Sequence, residues 1–321
     1  MKSHIRLHIV EPRWGVVTVF AASGVILELQ RIHRRLKKMK HGQTLGSEHF
    51  LPEQICHRPR YPGPMSGIII AVHGLGGNWL KTWRADDGAI WLRDRLPQLL
   101  AEKNIHARVL SYGYDADFIF TNTINDIEIV ARDLLNQVDG ARTTDEQRKA
   151  PVIFVAHSLG GLVVKAAFNK AWVENIHYQN IVDRAAGCIF LSVPHRGADL
   201  ARWARNAATI MRALSGLGNK RLVRAISRSS EEWKKVGWDF VFRTADISIA
   251  TVFETQLTGG IMVVDQDSAR LGLFGERTGG LPRSDHRTIC KFGDNQDESN
   301  RFFVLGNFAT WIAECALQKG Q

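Results

Sequence analysis

Short, uninterrupted apolar runs, each closed by a turn and separated by helix-patterned segments, constrain this chain more than any other feature. Gly67 to His73 reads GIIIAVH and runs into Gly74. Val152 to Ala156 reads VIFVA, Ala186 to Val193 reads AGCIFLSV, and Ile247 to Phe253 reads ISIATVF. None alternates apolar with polar residues, so each is expected to be a strand buried on both faces. Ala107 to Tyr112 (ARVLSY) is strand-like and ends at Gly113. Between these runs, Ile90 to Glu102, Asn122 to Val138 and Gly160 to Trp172 carry apolar residues at helical spacing. The alternation predicts an α/β fold: a mainly parallel sheet with helices on both faces. Such sheets bind ligands beyond the carboxyl ends of their strands. The chemistry is therefore expected just after His73, Ala156, Val193 and Phe253.

Directly after VIFVA stands Ala156-His157-Ser158-Leu159-Gly160-Gly161. A serine on a tight turn from strand to helix is held in a strained backbone with its hydroxyl exposed above the sheet. Small residues must flank it so that strand and helix can approach, and Ala156 and Gly160 do so, although glycine is the usual residue at the first of these positions. The alternative reading of Ser158 is a simple helix N-cap. The turn sets the Leu159 N–H at the positive end of the next helix, where it can hold an oxyanion. A second donor is expected in the glycine loop His73-Gly74-Leu75-Gly76-Gly77, with the Leu75 N–H as the candidate. That loop has no following Gly-Lys-Ser/Thr, which excludes a phosphate-cradling loop. His73 itself reads as structural.

A serine nucleophile needs a general base, and in this architecture the order along the chain is serine, acid, histidine. Of the 12 histidines, His177, His195 and His286 follow Ser158. His177 falls at a polar helix end. His195, in Val-Pro-His-Arg-Gly, could line the site. His286 occupies a late loop, Ser284-Asp285-His286-Arg287, and is the expected base. For the acid, Glu254 closes the run ISIATVFE, with Asp265 and Asp267 of MVVDQDSA as rivals. Either a Glu or an Asp can orient the imidazole and stabilise its protonated form. This chemistry needs no metal or organic cofactor.

Charge adds information about partners. The net charge of +10 is concentrated in residues 1–60 and 196–243, each with 11 Lys and Arg against 4 Asp and Glu. Two basic patches on a mildly acidic body argue against a nucleic-acid-coating protein and suit an anionic membrane surface, or else two solvated helix faces. Trp14 to Leu29 reads WGVVTVFAASGVILEL and is followed by the basic RIHRRLKKMK. As a helix it would span roughly 24 Å, short of the roughly 30 Å hydrocarbon core. Three readings fit it: a short membrane anchor, an organelle-targeting presequence, and an amphipathic helix packed on the body. Residues 41–64, rich in Gly and Pro, read as a linker, so that residues 1–64 precede a domain spanning 65–321. Within that domain, about 196–243 reads as a basic, helical insertion, either a lid over the site or a helical pair packed on the sheet. Trp79, Trp83 and Trp91 either line a pocket or pack in the core. Four widely spaced cysteines exclude a zinc ribbon, a CxxC redox site and a disulfide scaffold.

Taken together, AVHGLGG, KTWRADDGAIWLRDRLP, VLSYGY, VAHSLGGLVVKAA, IFLSVPHRGADLA, VFET, MVVDQDSARLG and DHRTICKF resemble the serine active site-containing protein family, among the lipase-like serine esterases of the α/β-hydrolase fold. The resemblance covers most of Gly67 to Phe292. It implies a Ser–acid–His hydrolase acting on lipid-like esters, with Ser158 as nucleophile and His286 as base, and VFET supports Glu254 as acid. It also implies association with mitochondria, the endoplasmic reticulum and phospholipid handling, with a cytosolic location as the alternative. Animal members carry a long helical-repeat region ahead of the domain, where this chain has 64 residues. Two other activities share such a triad, thioester cleavage and acyl transfer. A non-catalytic, membrane-tethered interaction module would share the fold.

Overall fold

The computed structural model describes residues 65–116, 125–195 and 230–319. The N-terminal segment and linker (1–64) and most of the helical insertion (196–229) lie outside them. Six strands form one sheet: β1 Gly67–Val72, β2 Ala107–Tyr112, β3 Val152–His157, β4 Ala185–Leu191, β5 Ser248–Glu254 and β6 Arg277–Leu281. Their order is β2-β1-β3-β4-β5-β6. All five ladders are parallel. The register aligns Val72 with Tyr112 and with Ala156, Ala156 with Phe190, and Glu254 with Leu281, so the carboxyl ends finish along one edge.

Burial on both faces explains the unbroken apolar runs. Every residue of β1 and of β3 is buried. Each Ile or Val enclosed in this way contributes roughly 1.5–3 kcal/mol relative to exposure. One face packs against α3 (Asn125–Gly140), α5 (Gly160–Val173), the short α6 (Asn175–Arg184) and α7 (Ser230–Arg243). The other packs against α1 (Trp91–Asp94), α2 (Leu96–Ala101) and the long α9 (Gln296–Lys319). Two short helices complete the described chain: α4 (Asp145–Lys149), opened by a capping box from Thr144 and Gln147, and α8 (Gln266–Ala269), capped by Asp265.

Two elements differ from expectation. The expected single helix over Ile90–Glu102 is two pieces, because Arg95 leaves helical geometry at φ −123° and Pro97 opens the second piece. Strand β6 has no apolar run. It is an edge strand paired on one side, and Gly279 and Gly280 give room to the rings of Phe308 and Phe253.

From β1 the chain moves outward to β2 and then returns to β3 on the other side of β1. The strand order therefore reverses between β1 and β3, and the loops after these two strands flank the switch point, where open α/β sheets bind ligands.

Close packing of the sheet is testable at Gly187, where a Cβ would lie 2.4 Å from the Ser248 carbonyl oxygen and 2.6 Å from Ile312. Gly187→Ala is expected to lower stability by about 1–3 kcal/mol in urea unfolding. Gly140→Ala, at a helix end where a Cβ meets nothing within 4 Å, is expected to match or exceed wild type.

Candidate active site

Strand β3 ends at His157, and the chain turns sharply at Ser158, whose φ of 53° lies in the left-handed region. A non-glycine residue there costs roughly 1–2 kcal/mol and is retained only where its surroundings fix it. The Ser158 N–H donates to the Leu191 carbonyl at 3.0 Å, and the Ser158 carbonyl accepts from Gly161 N–H at 3.1 Å. Glycines supply the clearance. A Cβ at Gly160 would stand 2.3 Å from the His73 carbonyl oxygen, and one at Gly74 would stand 2.6 Å from the Ser158 Cβ. The turn is therefore pressed directly against the end of β1. Contrary to the expectation of an open hydroxyl, Ser158 is buried, with 1% exposure.

Ser158 Oγ lies 2.8 Å from His286 Nε2, and His286 Nδ1 lies 2.7 Å from Glu254 Oε2. Glu254 ends β5, and His286 sits in the loop after β6. The other carboxylate oxygen of Glu254 accepts the N–H groups of Val263 (2.7 Å) and Val264 (3.1 Å). These bonds hold the carboxylate as a buried acceptor, so Nδ1 carries the imidazole proton and Nε2 presents its lone pair to the serine hydroxyl. The rivals are not brought to His286. Asp265 caps α8 by accepting the Ser268 N–H at 2.8 Å, and Asp267 is exposed on that helix. His177 is exposed on α6. His195 is buried near the end of β4 and has no hydrogen bond to the triad residues.

The N–H groups of Leu159 and Leu75 have no hydrogen-bond partner among the described residues, and both residues are buried beside the turn. His73 is a strut. Its Nδ1–H donates to the Gly74 carbonyl at 2.9 Å, and its Nε2 accepts from Tyr114 N–H at 3.3 Å. The Tyr114 ring stacks on it at 4.3 Å. Trp83 and Trp91 are core residues, Trp91 donating its indole N–H to the Cys290 carbonyl just past His286. Cys188 and Cys290 are buried and free.

Two supporting residues escaped the sequence reading. Thr258 Oγ1 accepts the backbone N–H of His286 at 2.9 Å, and His157 Nε2–H donates to the His286 carbonyl at 2.8 Å. Thr258 stands at the base of a two-residue turn whose Gly259 and Gly260 both have positive φ, so Thr-Gly-Gly was the available signal. For His157 only its place beside the nucleophile hinted at a role. Among the described residues no group of His, Cys, Asp and Glu could hold a metal ion, and no helix is long and apolar enough to cross a membrane.

Residues 65–222 match the family described as "Putative serine esterase (DUF676)", a match that supports a hydrolase. Protein SERAC1 of Bos taurus is 26% identical over 320 residues, covering 91% of this chain and 46% of that protein. Protein SERAC1 of Homo sapiens gives the same identity and coverage, so the chain spans about half the length of the curated relatives it matches. Among solved structures, the Bacillus licheniformis lipase BlEst2 in its mature form superposes with a TM-score of 0.52 at 17% identity, over 79% of this chain and 94% of that one. The fold is that of the α/β-hydrolases.

Three buried imidazoles around the site make stability depend on pH. Burial holds His73 at about 4 and His157 at about 3, and drives His195 well below its ordinary 6.5. Between about pH 6.5 and 4 the unfolded chain binds these protons and the folded chain does not, so stability falls as pH falls. From pH 7 to 5 His73 and His157 are each expected to remove about 2 kcal/mol, and His195 acts in the same direction. Urea unfolding at the two pH values measures this, and His73→Asn is expected to flatten the dependence.

Proposed function

We propose that this α/β-hydrolase is a serine esterase acting on lipid-like carboxylic esters through an acyl-enzyme on Ser158. The observation that supports this most is the continuous hydrogen-bond chain from Ser158 Oγ through His286 to Glu254. In this reading Ser158 Oγ attacks the ester carbonyl carbon as its proton passes to His286 Nε2. The Leu159 and Leu75 N–H groups donate hydrogen bonds to the carbonyl oxygen as negative charge develops on it. The tetrahedral intermediate then collapses. The C–O bond to the alcohol breaks, and the alcohol leaves with the proton from His286. Water repeats the sequence in reverse, giving up a proton to His286 and releasing the acid and Ser158. Glu254 fixes the imidazole tautomer and stabilises the imidazolium formed in each half.

The same reading gives residues 65–321 the catalytic domain and residues 1–64 a tether to an anionic membrane, mitochondrial or endoplasmic reticular. Its support is the positive charge of 1–60 and the apolar stretch from Trp14 to Leu29. The basic charge of residues 196–243 suits the same surface, although α7 at its end packs on the sheet.

Fluorophosphonate labelling of the full chain, with and without anionic liposomes, tests the chemistry. Wild type is expected to label and Ser158→Ala not to label. His286→Ala is expected to slow labelling by about a thousandfold or more, and Glu254→Gln by about a hundred- to ten-thousandfold. Folded wild-type protein that stays unlabelled in both conditions would remove the esterase reading in favour of an interaction module. Equal turnover of matched oxygen esters and thioesters would broaden the substrate class.

A further inference from the structure

His157 ends β3 and directly precedes the nucleophile, so its backbone is set by the same turn. Its side chain is buried, and its Nε2–H donates to the His286 carbonyl at 2.8 Å. The two imidazole rings lie 5.0 Å apart, tilted by 46° rather than stacked. The nucleophile turn therefore reaches His286 twice, through Ser158 Oγ to the ring and through His157 to the backbone. The bonds from Glu254 and Thr258 reach it from the other side. They belong to β5 and the loop after it, which β4 separates from β3.

The two bonds from the turn differ in what catalysis does to them. In an acyl-enzyme Ser158 Oγ carries the acyl group and has lost its proton. An ester oxygen has no hydrogen to give to the Nε2 lone pair, so the Ser158–His286 bond is absent while the acyl group stays. The His157 bond involves neither reacting atom and survives. During this interval His286 Nε2 has to meet a water aimed at the acyl carbon, within hydrogen-bond reach. Glu254 and Thr258 fix the imidazole relative to β5. His157 fixes it relative to the acyl carbon, which the next residue in the chain is carrying.

The donor is also uncharged. Burial holds His157 at about 3, and charge on His286 pushes it the same way. At neutral pH it donates without setting a positive charge beside the imidazolium that forms in each half of the reaction. A Lys or Arg could satisfy the same carbonyl but would oppose that imidazolium.

We propose that His157 is a positioning residue that keeps His286 in register with the nucleophile turn while Ser158 is acylated, and so acts chiefly on hydrolysis of the acyl-enzyme. The proposal rests on the esterase reading. In that step water adds to the acyl carbon and gives a proton to His286 Nε2. The bond from the carbon to Ser158 Oγ then breaks, Oγ takes the proton back, and the acid departs.

Acid-quenched mass spectrometry of the full chain, turning over saturating p-nitrophenyl butyrate, tests this when kcat is measured in parallel. The ratio of acylated to unacylated Ser158 gives the ratio of the acylation and deacylation rate constants, and kcat then gives each one. His157→Leu is expected to lower the deacylation constant about tenfold and the acylation constant less than about threefold, so that acylated Ser158 accumulates. His157→Gln, whose amide nitrogen takes the place of Nε2, is expected to restore the wild-type ratio. Should His157→Leu fail to fold, His157→Asn, whose amide stops at the Nδ1 position, carries the same comparison. A ratio unmoved in the variants, equal slowing of both steps, or a Gln variant no better than the Leu variant would confine His157 to packing and overturn the proposal. Wild type that neither acylates nor labels with fluorophosphonate would remove the esterase reading and the proposal with it, a result distinct from active wild type with an unmoved ratio.

Discussion

The left-handed backbone at Ser158 is a local strain that three separate elements have to hold in place. Strand β4 takes its N–H through Leu191, the first turn of α5 takes its carbonyl, and the end of β1 closes against it with no side chain at Gly74 or Gly160 to intervene. Relaxing the turn would mean separating β1, β3 and β4, whose interiors are fully buried. The central sheet therefore maintains the conformation.

The second half of the site is held by hydrogen bonds rather than by packing alone. Glu254 is buried, and a carboxylate there needs its acceptor capacity filled. Two amides of the loop after β5 and the imidazole of His286 fill it. That loop also returns through Thr258 to the His286 backbone, while His157 reaches the His286 carbonyl from the nucleophile side. Ser158, His286 and Glu254 thus share one hydrogen-bond network, in which His286 is held from four sides and Glu254 from three. Such a network needs little rearrangement when charge develops.

Much of this was legible in the sequence, for identifiable reasons. Strands β1, β3, β4 and β5 announced themselves because burial on both faces demands unbroken apolar residues. Ser158 and Gly160 were readable because the tight turn restricts which residues fit. Glu254 was readable by position, at the end of an apolar run. The edge strand β6 was not, since pairing on one side lets it be Arg-Thr-Gly-Gly-Leu. The division of Ile90–Glu102 depended on one backbone angle at Arg95. Thr258 and His157 act through backbone atoms of a residue far away in the chain, a relation no local pattern encodes.

Ser158 and His286 meet across 128 positions of chain, and Trp91 reaches Cys290 across 199. Contacts of this span require loop closure before they return any free energy, so they form late when such a sheet assembles. During synthesis the nucleophile turn and three of the strands that brace it emerge well before the imidazole. A nascent or truncated chain that stops short of β6 would hold a correctly bent serine with no base beside it. The dispersal of the site along the sequence therefore leaves the serine and the imidazole apart until the last strand and its loop are in place.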